Sequence, residues 1–180
     1  MAREDELILR IKQGDFNALD ELITSYYPEI LRYCLWHAPN RSLAEDATQE
    51  TFLKVIRYSD RYIHKGKFKS FLYQIASNTC IDLKRKKWLT DTSLDELQIE
   101  FLYEEKGFEE VIEDIQLRHL VRNLPDELKE IVLLRFGQDL TIREISEIVD
   151  QPLRTVQSRL RSALKQIKKE MRKEENNGEH

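Results

Sequence analysis

TIREISEIVDQPLRTVQSRLRSALKQIKKEM, residues 141–171, decides how the rest of the chain is read. Val156, Leu160, Ala163, Leu164, Ile167 and Met171 recur in it at steps of four, three, one, three and four. At ~100° per residue they form one apolar stripe, which predicts an amphipathic helix. The opposite face gathers Arg154, Ser158, Arg161, Ser162, Lys165 and Lys169, flanked by Thr155 and Gln157. Upstream, Thr141-Ile-Arg-Glu144 is a capping-box pattern, in which hydroxyl and carboxylate satisfy backbone donors at the start of a helix. Ile142, Ile145 and Val149 line one face of that shorter helix. Asp150-Gln151-Pro152 then makes a tight turn, because proline disfavours a helical residue before it and tolerates a helix starting at it. A short helix, a tight turn and a second helix with a basic, hydrogen-bonding outer face form a helix-turn-helix pattern. Arg takes guanine edges through two bonds, Gln prefers adenine, and Ser or Thr adapts. Lys165, Lys168, Lys169, Arg172 and Lys173 suit phosphates, which position a protein without specifying sequence. A merely solvated amphipathic helix would need neither the tight turn nor the cap.

Working back from this segment, Leu117, Leu120, Val121 and Leu124 space like a helix that stops before Pro125. Asp126 is placed to cap the next helix, which carries Leu128, Ile131, Val132 and Leu134–Phe136 and ends near Gly137. Residues 89–114 read differently. They mix turn formers, isolated aromatics and a glycine without a sustained helical period, so they are expected to link two domains.

Charge supports that division. The 180 residues carry a formal net charge of −4, an average that would normally argue against nucleic acid. By segment, residues 1–53 are net −5, 54–88 are +8, 89–114 are −9, 115–152 are −2, 153–173 are +7 and 174–180 are −3. Two basic patches are thus separated by one acidic stretch. Single-sign blocks often mark only solvated surface, so alone they leave the partner open.

In the N-terminal part, Asp15 or Asn17 is placed to cap a helix bearing Phe16, Leu19, Leu22, Ile23 and Tyr26, interrupted near Pro28. Ile30, Leu31, Cys34 and Leu35 continue its apolar face, and the aromatics read as core. Ser42-x-x-Glu45 is a second capping-box pattern opening LAEDATQETFLKVIRY, with Leu43, Ala47, Phe52 and Val55–Ile56 able to turn inward. Asp46, Gln49, Glu50 and Leu53 fall at i, i+3, i+4 and i+7, an acidic-polar stripe holding an apolar residue. Such a stripe is either a solvated face or a surface for a partner with basic residues. Then RYIHKGKFKSFLYQIASNTCIDLKRKKW, residues 61–88, predicts a helix from about Phe68 to Lys86 with Phe68, Leu72, Ile75, Ala76, Thr79 and Leu83 on one face. Gln74 and Asn78 project away from that face. Before it lies a basic, aromatic loop, Asp60–Lys67, with Tyr62, His64, Lys65 and Lys67. Cations follow a single strand's backbone, aromatics stack on unpaired bases and an amide reads a base edge. The same aromatics could equally be core beside a solvated loop.

Four segments together resemble the extracytoplasmic-function group of the sigma-70 family of bacterial RNA polymerase sigma factors. AEDATQETFLKV is similar to the family's AED-x-x-QE-x-F helix, and FKSFLYQIASNTCIDLKRKK to its F-x-x-WLY-x-IA-x-N-x-x-x-D-x-x-R segment. LPDELKEIVLLRF and PLRTVQSRLRSALKQI are similar to its second domain. Each motif alone is weak to moderate; four in the right order, split by an acidic stretch, are specific. The resemblance implies an all-α protein of two small helical domains: a region 2 bundle over 1–88 and a region 4 helix-turn-helix over 115–173. An acidic flexible linker over 89–114 would join them, with a disordered tail at 174–180.

It also implies roles. Asp46, Gln49, Glu50, Phe52 and Leu53 would dock on the clamp coiled coil of the polymerase's largest subunit, and the second-largest subunit would be contacted as well. Tyr62, His64, Lys65, Lys67, Phe71, Gln74 and Asn78 would capture the non-template strand of the minus-ten element, with Lys84, Arg85, Lys86 and Lys87 on nearby phosphates. Phe71 stands where the family usually has Trp. Arg154, Thr155, Gln157, Ser158, Arg161, Ser162 and Lys165 would read the duplex minus-thirty-five element. The linker would thread the RNA path, its acidity standing in for RNA. An anti-sigma partner, commonly membrane-bound, is implied too, and no cofactor is.

Other classes are closed off by composition. Cys34 and Cys80 lie far apart among apolar neighbours and read as buried free thiols of a reducing compartment. The opening MAREDELILRI has acids where a signal peptide needs basic and then apolar residues, and nothing approaches the ~20 apolar residues of a membrane span, so a cytoplasmic location is expected. A metal-dependent phosphohydrolase would need clustered His and Asp ligands, whereas His37, His64, His119 and His180 are scattered. A dimeric helix-turn-helix repressor with an N-terminal sensor accounts for the last helix equally well. It leaves the aromatic loop and the acidic stretch unexplained.

Overall fold

In the computed structural model, which describes residues 3–62, 66–88 and 115–177, the first helix, α1 (Arg3–Lys12), opens on Glu4, Asp5 and Glu6 and closes on Arg10 and Lys12. That order of charge complements the helix dipole. Gly14 follows at φ +85, a left-handed conformation that costs glycine little. Asp15 then caps α2 (Phe16–His37), accepting from the amides of Asn17 at 2.9 Å and Ala18 at 3.3 Å. Arg10 donates to the same carboxylate at 2.9 Å, and this bond, with the cap amides, holds the Asp15 carboxyl below its ordinary value. Two expectations fail in α2. The helix runs through Pro28 without a break, and Phe16 is 82% exposed rather than inward. Pro28 sits on the exposed side, while Leu22, Ile30, Tyr33, Cys34 and Leu35 bury the helix on both sides of it. Packing therefore outweighs the ~3 kcal/mol that an interior proline costs. Phe16 lies about 160° round the helix from the buried Ala18, so it has no core to enter.

α3 (Arg41–Arg57) is capped two residues earlier than the expected Ser42. Asn40 supplies the acceptor instead, taking the Leu43 amide at 2.9 Å, and Glu45 pairs with Arg41 at 2.8 Å. With its cap taken by Asn40, Ser42 is left exposed on the first turn. The buried face of α3 is largely small: Ala44, Ala47, Thr48, Thr51, Phe52 and Val55. The two threonine hydroxyls donate to the carbonyls of Ala44 and Ala47 at 2.8 and 2.7 Å, which removes the penalty of burying them. α3 thus packs against both α2 and α4 (Phe68–Leu83), whose inner face is Phe68, Leu72, Tyr73, Ile75, Ala76, Thr79 and Cys80. A π-helical turn, Lys84–Trp88, continues α4. Cys34 and Cys80 are buried as thiols, as expected, and α2 and α4 bring their Sγ atoms to 3.8 Å.

The chain divides into two units, Met1–Glu104 and Glu105–His180. In the second, α5 (Ile115–Arg122) and α6 (Asp126–Val132) precede a π-helical turn, Leu133–Gly137. Asp126 does not cap α6. Pro125, at φ −50 and ψ 142, occupies the cap position, and Asp126 is the first helical residue, paired with Lys129 at 3.1 Å. The Thr141 capping box forms as expected at the head of α7 (Ile142–Ile148): the Glu144 amide donates to Oγ1 at 3.3 Å and the Glu144 carboxylate accepts the Thr141 amide at 2.7 Å. Ile145 and Ile148 are its buried residues, with Ile142 and Val149 half-buried. α8 (Leu153–Asn177) buries Val156, Ala163 and Ile167, but Leu164 and Met171 remain 43% and 40% exposed. Partners of seven or eight residues are too short to cover a helix of 25. The helix also continues past residue 173. Among the described residues every regular element is helical.

Pro28→Ala is expected to stabilise the first unit by about 1–3 kcal/mol, restoring a helical donor on an exposed face. Urea unfolding should show a higher midpoint with an unchanged slope.

Candidate nucleic-acid interface

On the outer face of α8, Arg154, Gln157, Ser158, Arg161, Ser162 and Lys165 are exposed, and Thr155 is half-buried. Its orientation depends on the turn before it. Asp150 adopts φ 51, a left-handed conformation that aspartate tolerates better than bulky residues do. The Gln151 amide donates to the Ser146 carbonyl at 3.1 Å, and the Ser146 hydroxyl donates back to the Gln151 carbonyl at 2.6 Å. Arg159 donates to the Gln151 side-chain oxygen and meets Glu127 at 2.8 Å. Sequence reasoning missed Arg159. The available signal was a cation three residues from Val156 and four from Ala163, on the buried side of the helix.

In the first unit α4 presents Gln74 and Asn78 outward, and Lys84, Arg85 and Lys86 are exposed beyond them. Lys67 is exposed just before the helix; His64 and Lys65 fall outside the described residues. Tyr62 is where the structure corrects the aromatic-loop reading. It is only 5% exposed, and its hydroxyl donates to the buried Asp5 carboxylate. Its ring stands edge-on to Phe68 at 5.9 Å and tilted against Phe71 at 5.3 Å. Tyr26 extends the cluster, meeting Phe68 edge-on at 5.4 Å and donating to Glu4 at 2.9 Å. Burial, and then the Glu4 carboxylate, push the Tyr26 phenol well above its ordinary value, so it stays a neutral donor. Phe71 is half-buried over this cluster. Tyr62 thus closes the apolar end of α4 because an acceptor for its hydroxyl is buried beside it.

On α3, Asp46 and Gln49 are exposed, Glu50 is half-buried and Leu53 is 55% exposed. Phe52 is not on this surface. It is 4% exposed and stacked on Tyr27 at 6.2 Å, so its part in the acidic face is to hold the helix. Lys54 ties α3 to α4, meeting Asp82 at 3.7 Å and the Thr79 hydroxyl at 3.3 Å.

Two family models match this chain: Sigma-70 region 2 over residues 22–90, and Sigma-70, region 4 over residues 114–167. The chain belongs to the sigma-70 family. It is 32% identical over 167 residues to the RNA polymerase sigma factor SigV of Bacillus subtilis, covering 93% of this chain and 99% of SigV. It is 27% identical over 177 residues to the ECF RNA polymerase sigma factor SigW of the same organism, covering 92% and 95%. These likenesses place it in the extracytoplasmic-function group, whose members are transcription initiation factors. The repressor alternative is not favoured, since the N-terminal half is a sigma region rather than a sensor. The fold matches the solved structure of CnrH in complex with the cytosolic domain of CnrY, with a TM-score of 0.70 at 14% identity, over 92% of this chain and 94% of that one. It also matches RpoE of Bartonella quintana in complex with the anti-sigma factor NepR, with a TM-score of 0.65 at 14% identity, over 85% and 96%. Among the described residues of this sigma factor, no helix is long and apolar enough to cross a membrane.

The left-handed Asp150 can be tested directly. Asp150→Val is expected to cost about 1–2 kcal/mol in the second unit, whereas Asp150→Gly stays within about 0.5 kcal/mol of wild type. Thermal unfolding followed by circular dichroism reads both.

Proposed function

We propose that this sigma factor directs core RNA polymerase to its promoters through three surfaces, one for the enzyme and two for DNA. Asp46, Gln49, Glu50 and Leu53 form the docking face for the clamp of the largest subunit, with Phe52 holding it from behind. Gln74, Asn78, Lys67, Lys84, Arg85 and Lys86, with His64 and Lys65, engage the opened minus-ten element. Tyr62 and Phe71 stiffen the base of that surface. Arg154, Thr155, Gln157, Ser158, Arg161, Ser162 and Lys165 read the minus-thirty-five element as duplex. The acidic stretch 89–114 joins the two units and runs where RNA will emerge. The protein has no catalytic role, works in the cytoplasm, and is held in check by an anti-sigma protein, as the NepR complex illustrates for its relative.

What carries this reading is that one chain bears two separate exposed faces rich in cations and side-chain amides, one on each unit. A dimeric repressor uses one such face per subunit on duplex DNA alone. The deciding experiment is core polymerase with and without the protein on a matched promoter. Specific transcription should depend on the protein; tight duplex binding by the protein alone, without specific transcription, would refute it.

Residue assignments have their own tests. Leu53→Asp puts a charge in the apolar centre of the docking face and is expected to weaken core binding by at least about tenfold, with little change in thermal stability. Ser158→Ala and Arg161→Ala should each relax minus-thirty-five selectivity by ~1–3 kcal/mol, the worth of a good bond to a base edge. Unchanged promoter ranking would remove those residues from the readout face.

A further inference from the structure

Arg159 is the one cation of the first three turns of α8 that does not join the outer face. At ~100° per residue it lies about 60° from Val156 and about 40° from Ala163, both buried, while Arg154, Arg161 and Lys165 cluster on the far side. Its guanidinium bridges two other elements. One nitrogen donates to the side-chain oxygen of Gln151 in the turn, and the other meets Glu127 of α6 at 2.8 Å. Gln151 is itself fastened to α7 by its amide and carbonyl, both through Ser146. One planar fork therefore links α6, the α7–α8 turn and α8.

We propose that Arg159 is a positioning residue for promoter recognition: it sets the angle at which α8 presents Gln157 and Ser158, without touching a base itself. The proposal rests on the reading of α8 as the minus-thirty-five helix. The energetics favour geometry over stability. Glu127 is 68% exposed and Arg159 26% exposed at their side chains, and ion pairs open to water contribute little to folding. A fork with fixed directions nevertheless constrains the orientation of α8 against its neighbours. That constraint matters because α6 and α7, with seven residues each, offer α8 short packing surfaces. Base contacts tolerate small errors of angle poorly, whereas phosphate contacts by long lysines tolerate them well. Lysine cannot replace this residue, since an ammonium is a single point charge without the fork.

The test uses the holoenzyme. Wild type first selects its preferred duplex from a library randomised across the upstream element. Glu127→Gln, Gln151→Ala and Arg159→Lys are then measured on that duplex and on copies carrying single base-pair changes. Each variant should compress the preference for the selected duplex by about tenfold, roughly the discrimination given by one base-edge bond. Affinity for the changed duplexes, the slope of binding against salt and the melting temperature should stay as in wild type. Combining Glu127→Gln with Arg159→Lys should add little to either alone. Three results would overturn the proposal. If Arg159→Lys keeps the preference while Glu127→Gln and Gln151→Ala have no effect, Arg159 acts only through its charge. A salt slope lower by about one in an Arg159→Gln variant places the side chain on a phosphate instead. Equal loss on every duplex marks a scaffold residue. Gln157→Ala is run in parallel: if it leaves the ranking unchanged, the reading of α8 itself fails, a result separable from failure of the three bridging variants.

Discussion

Burial of one face of α4 is the constraint on which the first unit depends. Phe68, Leu72, Tyr73, Ile75, Ala76 and Cys80 are enclosed by α2 and α3, and with them inside, the helical period leaves Gln74 and Asn78 no choice but solvent. The same logic governs α8, where Val156, Ala163 and Ile167 face inward and six candidate DNA-contacting side chains face out. Both surfaces lie on packed helices, and the turn before α8 fixes that helix through Ser146, Gln151 and Arg159. Sites built on packed helices keep their side chains at fixed spacing, which suits a factor that must read bases at set intervals.

What could be read from sequence was whatever repeats. The apolar periods of α4 and α8 located both helices and both outward faces, and the Thr141 box located the head of α7. What could not be read were contests between neighbours. Ser42 and Asn40 both offer a capping oxygen, and the winner depends on where the chain enters α3 from α2. Pro28 is a helix breaker in isolation and a tolerated exposed residue once Leu22 and Ile30 are packed. Tyr62 carries an aromatic ring that suits a base or a core equally, and the choice is made by Asp5, 57 residues away in sequence. Arg159 showed locally only as a cation on the buried side of α8, while its two partners, eight and 32 positions back, carried no local sign. Long-range pairing leaves no local pattern.

Net charge was the least informative number. Its order along the chain was more telling, with a basic segment in each unit and a strongly acidic one between. Fields from such blocks act over about a Debye length, ~8 Å at physiological salt, so each basic face can attract DNA without being cancelled by distant acids. The acidic face of α3 is similarly local, and lies on a different helix from Gln74 and Asn78. A chain with little overall attraction for nucleic acid can in this way hold patches that have a great deal.

The length of α8 has a mechanical side. Among the described residues its last buried one is Ile167, yet the helix continues to Asn177. At 1.5 Å per residue the remainder is an overhang about 15 Å long, carried by helix propensity and by pairs such as Lys173 with Glu170 at 2.7 Å. Along a duplex that distance passes roughly four phosphates of one strand. Lys168, Lys169, Arg172 and Lys173 therefore sit on a cantilever whose root is rigid and whose tip can fray and re-form. Such a rod can follow a backbone that bends or twists beneath it while the residues near its root keep their register.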